Sequence, residues 1–187
     1  MKIPEYFKKK ANLSVEAERI VQTAFTREEF PKGHFLFKRD EICRHIYFIE
    51  QGIARIFYYS DSGKDVTAWF FQEDSFLTAI DSFYYNKPTF EYCELLENST
   101  VHSITYTDFE HLLDTHNEFG KLGFHVIHDM ARQMIDYIFN LKFQTAEDKY
   151  NALLLNYPTI VQRVSLGHIA SYLGITQETL SRIRSGK

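Results

Sequence analysis

The residues best suited to chemistry lie near the carboxyl end of the chain, at Gln177, Glu178, Ser181 and Arg182. In the major groove of DNA, arginine pairs with guanine, glutamine pairs with adenine, and glutamate accepts a hydrogen bond from the cytosine amino group. Residues three and four positions apart share one face of an α-helix, so these side chains would point in one direction. The pattern predicts a helix that reads base edges.

The same end of the chain is basic, although the protein as a whole is acidic. Residues 163–187 hold four basic side chains against one acidic side chain, a formal charge of +3 in a chain of −4, which leaves −7 on the rest. A local basic patch is what a DNA-binding surface requires. We predict phosphate contacts from Arg163, Arg184 and Lys187. The predicted DNA-binding set is Ser165, Thr176, Gln177, Glu178, Thr179, Ser181, Arg182, Arg184 and Lys187.

Two short helices joined by a glycine turn are predicted to position this surface. Ser165 is a suitable N-cap for a helix that carries Ala170 and Leu173, and Thr176 is a suitable N-cap for the next. Gly174 suits the left-handed conformation that the intervening turn uses. Such a pair is the helix-turn-helix unit. The alternative is an ordinary pair of antiparallel helices with a solvated polar face.

A long helix is predicted over residues 117–142, which contain no proline. Its apolar residues form two stripes: Phe119, Leu122, Val126, Met130, Met134, Tyr137 and Leu141 in one, and Phe124, Ile127, Ala131, Ile135 and Ile138 in the other. A helix that is apolar on two faces must bury both. A β-domain would cover one face and a symmetric copy of the helix the other, which predicts a homodimer. The alternative is a helix wedged between two domains of one chain.

Residues 1–116 indicate a short helix followed by antiparallel strands. An N-cap at Ser14 and helical spacing predict a helix over 14–25, with Val15 and Val21 among its inward residues. Six runs rich in β-branched and aromatic residues follow: 34–38, 45–50, 53–59, 65–71, 90–97 and 100–106. The turns between them leave no room for crossover helices, so the strands would form a sandwich, roll or barrel.

Two further helices complete the predicted organisation. One covers 107–115, with Thr107 or Asp108 as the cap, and one follows Thr145 and ends before Pro158. The predicted fold class is therefore α+β. The predicted domains are a β-domain over 1–116, the long helix over 117–142, and a helix-turn-helix domain over 143–187.

The segment 72–90 interrupts the strand pattern and predicts a short helix from Phe76 to Phe83. A helix N-terminus near Asp74 and Ser75 would offer backbone N–H groups to an anion. The alternative is a connecting loop that packs aromatic side chains. Aromatic residues around the segment favour an apolar or planar ligand. The candidate effector pocket comprises Phe71, Asp74, Ser75, Phe76, Lys87, Pro88 and Thr89.

Composition argues against several other classes of function. Cys43 and Cys93 are too few for a disulfide scaffold or a structural zinc site. No apolar run approaches the roughly 20 residues of a membrane span, and no secretion signal is evident, so a cytoplasmic protein is expected. His125 and His128 lack an evident third ligand, and no catalytic motif is present, so we predict neither a metal, a cofactor nor an enzyme.

The tripeptide Pro31-Lys32-Gly33 and the runs from Ile46 to Gly52 and from Ile169 to Arg184 make nearly the whole chain resemble the Crp/Fnr superfamily of bacterial transcription regulators. It is similar to short members without a recognised effector. The resemblance implies a cyclic-nucleotide-binding-like β-roll of the double-stranded jelly-roll type that senses a small molecule, a dimerising helix, and a helix-turn-helix that reads a palindromic operator. It allows RNA polymerase as a further partner.

Two departures from that family matter. Members that bind cyclic nucleotides carry Gly-Glu early and Arg-Ser or Arg-Thr late in a phosphate cassette, where this chain has Asp74-Ser75 and Pro88-Thr89. A buried phosphate without a counter-charge is costly, so we predict that cyclic AMP is not the effector, although Lys87 is adjacent. The chain also ends shortly after the recognition helix, where the family usually continues into a wing. The wing is either absent or truncated.

Two functions of other classes remain open at this point. A β-domain that binds a small molecule and docks proteins through its terminal helices is compatible with the net negative charge. An enzyme of the cupin type would need a metal site within the strands, for which His34, His45 and His102 are scattered candidates.

Overall fold

The protein, seen in a computed structural model, is described here over residues 3–10 and 14–186. Two helices open the chain, α1 (Ile3–Lys10) and α2 (Val15–Ala24). Within the described ranges the strands are β1 (Thr26–Phe30), β2 (Phe35–Phe37), β3 (His45–Gln51), β4 (Ala54–Tyr59), β5 (Asp65–Phe71), β6 (Ser75–Leu77), β7 (Tyr92–Leu95) and β8 (Ser99–Thr105). The other helices are α3 (Ile80–Tyr85), α4 (Tyr106–Thr115), α5 (Asn117–Phe143), α6 (Ala146–Asn156), α7 (Ile160–Arg163), α8 (Leu166–Leu173) and α9 (Gln177–Arg184).

The strands form two four-stranded antiparallel sheets, in the orders β1-β8-β3-β6 and β2-β7-β4-β5. Their inner faces share one buried cluster, to which Ile49 and Val101 contribute from the first sheet and Ile56 and Cys93 from the second. Each predicted run becomes a strand, since alternating β-branched and aromatic residues fit a sheet with one buried face. The predicted α+β class and antiparallel roll are therefore confirmed.

Two strands, β1 and β6, are not predicted from the sequence pattern, because both lie at the edges of the first sheet. β1 pairs Glu28 with Val101 and Glu29 with Thr100, and its first four residues are exposed. Charged residues on an edge strand discourage pairing with other chains, but they also remove the hydrophobic alternation that marks a strand. β6 is short and pairs Phe76 with Phe48 of β3.

The helix predicted from Phe76 to Phe83 is wrong at its beginning. Phe76 belongs to β6, and its ring packs on those of Tyr6, Phe7 and Phe48, so tertiary contacts override the helical spacing. The helix α3 begins only at Ile80.

Two smaller expectations also need correction. Thr105, rather than Thr107 or Asp108, caps α4, and its hydroxyl accepts from the Asp108 N–H at 3.2 Å. Val15 is exposed rather than inward, because the first turn of α2 projects beyond the core that Val21 joins.

Two further apolar clusters flank the sheets and position the rest of the chain. One joins α1, α2, α4 and the start of α5 to the first sheet, with Phe48, Ile104 and Leu122 at its centre. The other joins α6 to α9 to the second sheet through Ile53 and Phe70. The carboxyl-terminal helices are therefore seated directly on the β-roll.

We expect Gly52→Ala to destabilise the fold far more than Gly63→Ala, although both glycines have positive φ. At Gly52 (φ +119°) a Cβ would lie 2.1 Å from Ser99 Oγ, whereas at Gly63 (φ +75°) it would meet nothing within 4 Å. Backbone strain alone costs about 1–2 kcal/mol, and overpacking should bring the Gly52 loss to about 2–5 kcal/mol. Urea unfolding measures both free energies, and equal losses would contradict the close approach to Ser99.

Candidate nucleic-acid interface

The predicted helix-turn-helix is present and its caps are the predicted ones. The Ser165 hydroxyl accepts from the His168 N–H at 3.3 Å, and the Thr176 hydroxyl accepts from the Thr179 N–H at 3.2 Å. Gly174 ends α8 in the left-handed conformation (φ 68°). These caps satisfy N–H groups that a helix leaves without partners. Local sequence therefore fixes where both helices begin and where the turn lies.

A small buried core holds the two helices together. Ile169, Ala170 and Leu173 of α8 are buried, and so is Leu180 of α9. Thr179 is half-buried beside this core, while Ser165 and Thr176 are exposed. The small Ala170 side chain lets the helices approach at their crossing, as the sequence predicts.

The outward face of α9 carries the predicted base-reading residues. Gln177, Glu178, Ser181 and Arg182 are all exposed. A Cβ at Gly167 would lie 2.7 Å from Gln177 Nε2, so the glycine leaves room for the glutamine side chain beside α8. The face therefore combines a carboxylate, an amide, a hydroxyl and a guanidinium in one turn and a half of helix.

The electrostatics of this face suit hydrogen bonding to bases. Hydrogen bonds from its own backbone N–H and from the Thr176 hydroxyl lower the pKa of Glu178, with a smaller contribution from Arg182. Glu178 is thus ionised at neutral pH, as an acceptor from cytosine must be. The Arg182 guanidinium donates to the Thr179 hydroxyl over 3.4 Å, a long hydrogen bond that base contacts could replace.

The predicted phosphate-contacting cations, Arg184, Lys187 and Arg163, differ in their surroundings. Arg184 is exposed in the last turn of α9, where it remains a predicted phosphate contact. Lys187 lies outside the described residues. Arg163 does not face solvent as an open phosphate contact: its guanidinium donates to Glu73 Oε2 at 3.0 Å and to both carboxylate oxygens of Glu97. The predicted phosphate contact of Arg163 is therefore wrong in this arrangement.

The Arg163 bridge joins the carboxyl-terminal helices to two turns of the β-roll. The hydrogen bonds from Arg163 to Glu73 and then to Glu97 raise the pKa of Arg163. Burial alone would raise the pKa of Glu73, but hydrogen bonds from Arg163 and the Gly52 N–H lower it overall. Sequence reasoning missed both glutamates because they lie far from Arg163 along the chain and carry no local signal of pairing.

Helix α8 is seated on β5, which is the edge strand of the second sheet. The Thr67 N–H of β5 donates to Ser171 Oγ at 2.9 Å, and that hydroxyl donates to the Asp65 carbonyl at 3.2 Å. The Tyr157 hydroxyl donates to the Phe70 carbonyl at 2.8 Å. Side chains of α8 and of Tyr157, which follows α6, thus satisfy backbone groups that a bare sheet edge would leave to solvent.

A buried arginine lies under this contact. Arg55 is 4% exposed, donates to Asp65 at 2.7 Å and to Glu94 at 2.8 Å, and lies 3.9 Å from the ring centroid of Phe57. Burial by itself would lower the pKa of Arg55, but the hydrogen bonds that it donates to both carboxylates raise the pKa overall. Asp65 therefore accepts hydrogen bonds from two partners. Its carboxylate accepts from Arg55, and its backbone carbonyl accepts from Ser171 of α8.

Three parts of the chain meet at one aromatic contact. Trp69 of β5 lies 4.8 Å from Tyr137 of α5, and Tyr137 lies 5.2 Å from Tyr172 of α8, measured between ring centroids. Burial raises the pKa of Tyr137, so its hydroxyl remains protonated and can donate to the Tyr172 carbonyl at 3.5 Å. This Trp69 junction couples the roll, the long helix and the helix-turn-helix mechanically.

The structure separates the predicted effector pocket into two places. Phe71, Asp74, Ser75 and Phe76 line one cavity of about 320 Å³, together with Asp129, Gln133 and Tyr157 from later helices. The Asp74 N–H donates to the Ile49 carbonyl at 2.9 Å, and no helix begins there. The predicted helix N-terminus for an anion is therefore wrong at this position.

The other three predicted pocket residues do not line that cavity. The Thr89 N–H donates to the Glu41 carbonyl at 2.9 Å, and the Lys87 ammonium lies 5.3 Å from the ring centroid of Tyr85 at the surface. Pro88 connects these two residues and is exposed. These three residues follow Asp74 closely in the sequence, but α3 lies between them and separates them from Asp74 in space.

One apolar face of α5 lacks a covering element within the described chain. Phe124 is 68% exposed and Ile135 67%, and Ile127 and Ile138 of the same predicted stripe are also exposed. Phe119 and Leu122 of the other stripe are buried against the roll, whereas its later members Met134 and Leu141 are exposed. The roll therefore covers only the beginning of the first stripe, and the homodimer stays a prediction.

Neither a metal centre nor a membrane segment emerges from the part of the chain that the structure describes. Within residues 3–10 and 14–186, no three or more His, Cys, Asp or Glu side chains gather where a metal ion could be held. None of the helices in those ranges combines the length and the apolar character needed to cross a bilayer.

Comparison with known proteins bears on the β-roll and on the whole chain. Residues 27–116 match the family model of the cyclic nucleotide-binding domain. The fumarate and nitrate reduction regulatory protein of Vibrio cholerae serotype O1 is 28% identical over 184 residues, which cover 90% of this chain and 71% of that protein.

Solved structures share the fold over most of the chain. FixK2 from Bradyrhizobium japonicum superposes with a TM-score of 0.74 at 18% identity, covering 87% of this chain and 83% of that one. A protein of the crp/fnr family of transcriptional regulators from Eubacterium rectale superposes with a TM-score of 0.71 at 13% identity, covering 97% and 87% of the two chains.

We expect Arg163→Ala to loosen the seating of α8 on β5, because Glu73 and Glu97 lose their common counter-charge. Hydrogen exchange at the Thr67 amide, which is bonded to Ser171, reports this directly. Its protection should fall about tenfold, as for the loss of one charge-assisted hydrogen bond. Arg27→Ala removes an arginine paired with Glu50 on the other sheet and is the control. Unchanged Thr67 protection in Arg163→Ala would contradict the bridge.

The same measurement has a pH dependence of defined sign. The folded-state pKa of Glu73 is lowered, so its contribution is complete above the ordinary glutamate pKa of about 4.3 and is lost as the pH falls below that value. Thr67 protection, corrected for intrinsic exchange, should therefore fall below about pH 4.3 in the wild type and fall less in Arg163→Ala.

Proposed function

We propose that this chain belongs to the Crp/Fnr superfamily and is a sequence-specific DNA-binding transcription regulator. Its relatives are Crp/Fnr-type transcription regulators. The proposal includes the three-part division into residues 1–116, 117–142 and 143–187, a homodimer, and a palindromic operator.

The observation that carries the proposal is the exposed polar face of α9 on a complete helix-turn-helix. Gln177, Glu178, Ser181 and Arg182 stand on that face, and Thr176 and Ser165 stand at neighbouring helix N-termini, where backbone N–H groups favour phosphates. Arg184 adds positive charge at the edge of the surface. A merely solvated helix pair would not require this combination of base-reading types on one face.

The homodimer follows from the exposed stripe of α5. Burying Phe124, Ile135 and their neighbours against the same stripe of a second copy gives a two-fold pair of α9 helices. Two-fold related recognition helices read half-sites about one helical turn apart, which is roughly 10 bp. The operator is therefore expected to be an inverted repeat.

Regulation by a small molecule other than cyclic AMP is part of the proposal. The Lys87 ammonium lies over the ring of Tyr85 at the surface, so it does not supply a counter-charge to a phosphate inside the roll. Only Gln144 separates the end of α5 from the Thr145 cap of α6. A ligand that shifted α5 would act on the recognition helices through this joint and the Trp69 junction.

We expect Arg182→Ala to lose about 1–3 kcal/mol on a selected duplex and to relax base preference, because it removes a base contact. Lys187→Ala should instead weaken all duplexes alike and reduce the salt dependence by about one phosphate contact. Fluorescence anisotropy over a salt series, on selected and random duplexes, measures both. Equal losses on both kinds of duplex in both variants would contradict a base-reading role for Arg182.

We expect Ile135→Glu to weaken the homodimer at least about tenfold, because a carboxylate would be buried in the seam without a partner. Arg132→Glu places the same charge on an exposed position of the same helix and should change dimerisation little. Sedimentation analysis gives the dissociation constants, and circular dichroism checks the fold. A dimer that survives Ile135→Glu would place the seam elsewhere.

A further inference from the structure

A second cavity lies behind α5, between that helix and the β-roll. Its volume is about 250 Å³, and it borders the 320 Å³ cavity described above, with which it shares Phe76, Val126 and Met130. Its described lining comes from α1, from α2 and the residue after it, from the first sheet, from Thr78 and α3, from α4, and from the first half of α5. No residue of the predicted helix-turn-helix reaches it.

The lining of this α5 cavity is almost wholly apolar. Val21, Ile104 and Leu122 are among the buried side chains in its walls, and Thr78 and Tyr84 supply its polar atoms. Water inside a protein needs two to four polar partners, so this cavity is a poor site for water. An empty cavity is also unfavourable, because the lining side chains lose dispersion contacts on one side. An apolar molecule in the cavity would need no polar partners and would restore the dispersion contacts of the lining side chains.

The dimer seam proposed above meets the cavity at Ile127 and otherwise lies on another face of α5. Leu122, Val126 and Met130 face the cavity from one stripe of α5, whereas Phe124 and Ile135 are exposed on another. A second copy that packs on the exposed stripe therefore leaves α5 itself as the wall between the two. Ile127, which is 61% exposed, stands at the mouth of the cavity.

A glycine keeps the α5 side of the cavity open. Gly123 lines the cavity, and a Cβ there would meet nothing within 4 Å. A glycine inside a helix costs about 1 kcal/mol relative to alanine, and no packing contact with a described residue demands one here. Gly120 lies one turn earlier, has the same open surroundings, and does not line the cavity. The chain therefore supplies a matched pair of positions.

We propose that the α5 cavity is a binding site for a small neutral apolar molecule. An apolar cavity of about 150 Å³ holds benzene, so one of 250 Å³ has room for roughly ten carbon atoms. None of the described lining residues is charged, so a charged group would lose its hydration here without gaining a counter-charge from them, and anionic ligands of the same size are rejected. The site goes beyond the proposed DNA binding and does not depend on it.

Naphthalene is a suitable probe, and methionine methyl groups report where it binds. The chain contains only Met1, Met130 and Met134. Met130 lines the cavity, whereas Met134, one turn further along α5, is 51% exposed and does not. In the full-length protein labelled with ¹³C-methyl methionine, naphthalene should shift the Met130 signal saturably through its ring current and leave Met134 unchanged. The titration contains no DNA.

Two controls define the site and the ligand class. Gly123→Leu fills the cavity and should weaken naphthalene binding at least about tenfold, while Gly120→Leu should retain it within about twofold. The anion 1-naphthoate should bind the wild type at least about tenfold more weakly than naphthalene. If Gly123→Leu fails to fold by circular dichroism, the comparison of the two wild-type titrations carries the test.

Three results would overturn the proposal. The first is no movement of the Met130 signal at the solubility limit of naphthalene, as would follow if a second copy filled the cavity. The second is undiminished binding to folded Gly123→Leu, which would assign the probe to the neighbouring 320 Å³ cavity. The third is binding of 1-naphthoate as tight as that of naphthalene.

Discussion

The orientation of α9 depends on how α8 is seated against the edge of β5. Ser171 bonds both the N–H of Thr67 and the carbonyl of Asp65, and the Arg163 bridge fixes the same helices to the turns at Glu73 and Glu97. An edge strand has unpaired backbone groups, and α8 supplies their partners. The roll is thus the platform on which α8 and α9 rest.

The long helix α5 performs three tasks with three different faces. Its first turns join the core under the first sheet, its middle forms a wall of the α5 cavity, and its exposed stripe is the proposed dimer seam. Further along α5, Tyr137 contacts Trp69 and so joins this helix to the Trp69 junction. Since these faces belong to one helix, the proposed cavity ligand and the proposed dimer seam would act on the same element.

Sequence reasoning succeeded where the signal is local. The caps at Ser165 and Thr176, the left-handed Gly174 and the alternation in the inner strands depend on neighbouring residues, and the structure and the comparisons confirm the fold and the Crp/Fnr resemblance. Reasoning failed where distant contacts decide: charged β1 is a strand only because β8 pairs with it, and Arg163 is a bridge only because folding brings two glutamates to it.

The central claim, that two α9 helices read one duplex as a symmetric pair, is tested most directly by selecting bound sequences from a random pool of duplex DNA. The account predicts enrichment of an inverted repeat whose half-sites are centred about 10 bp apart. Recovery of no motif, or of a single half-site without its inverted partner, would contradict it.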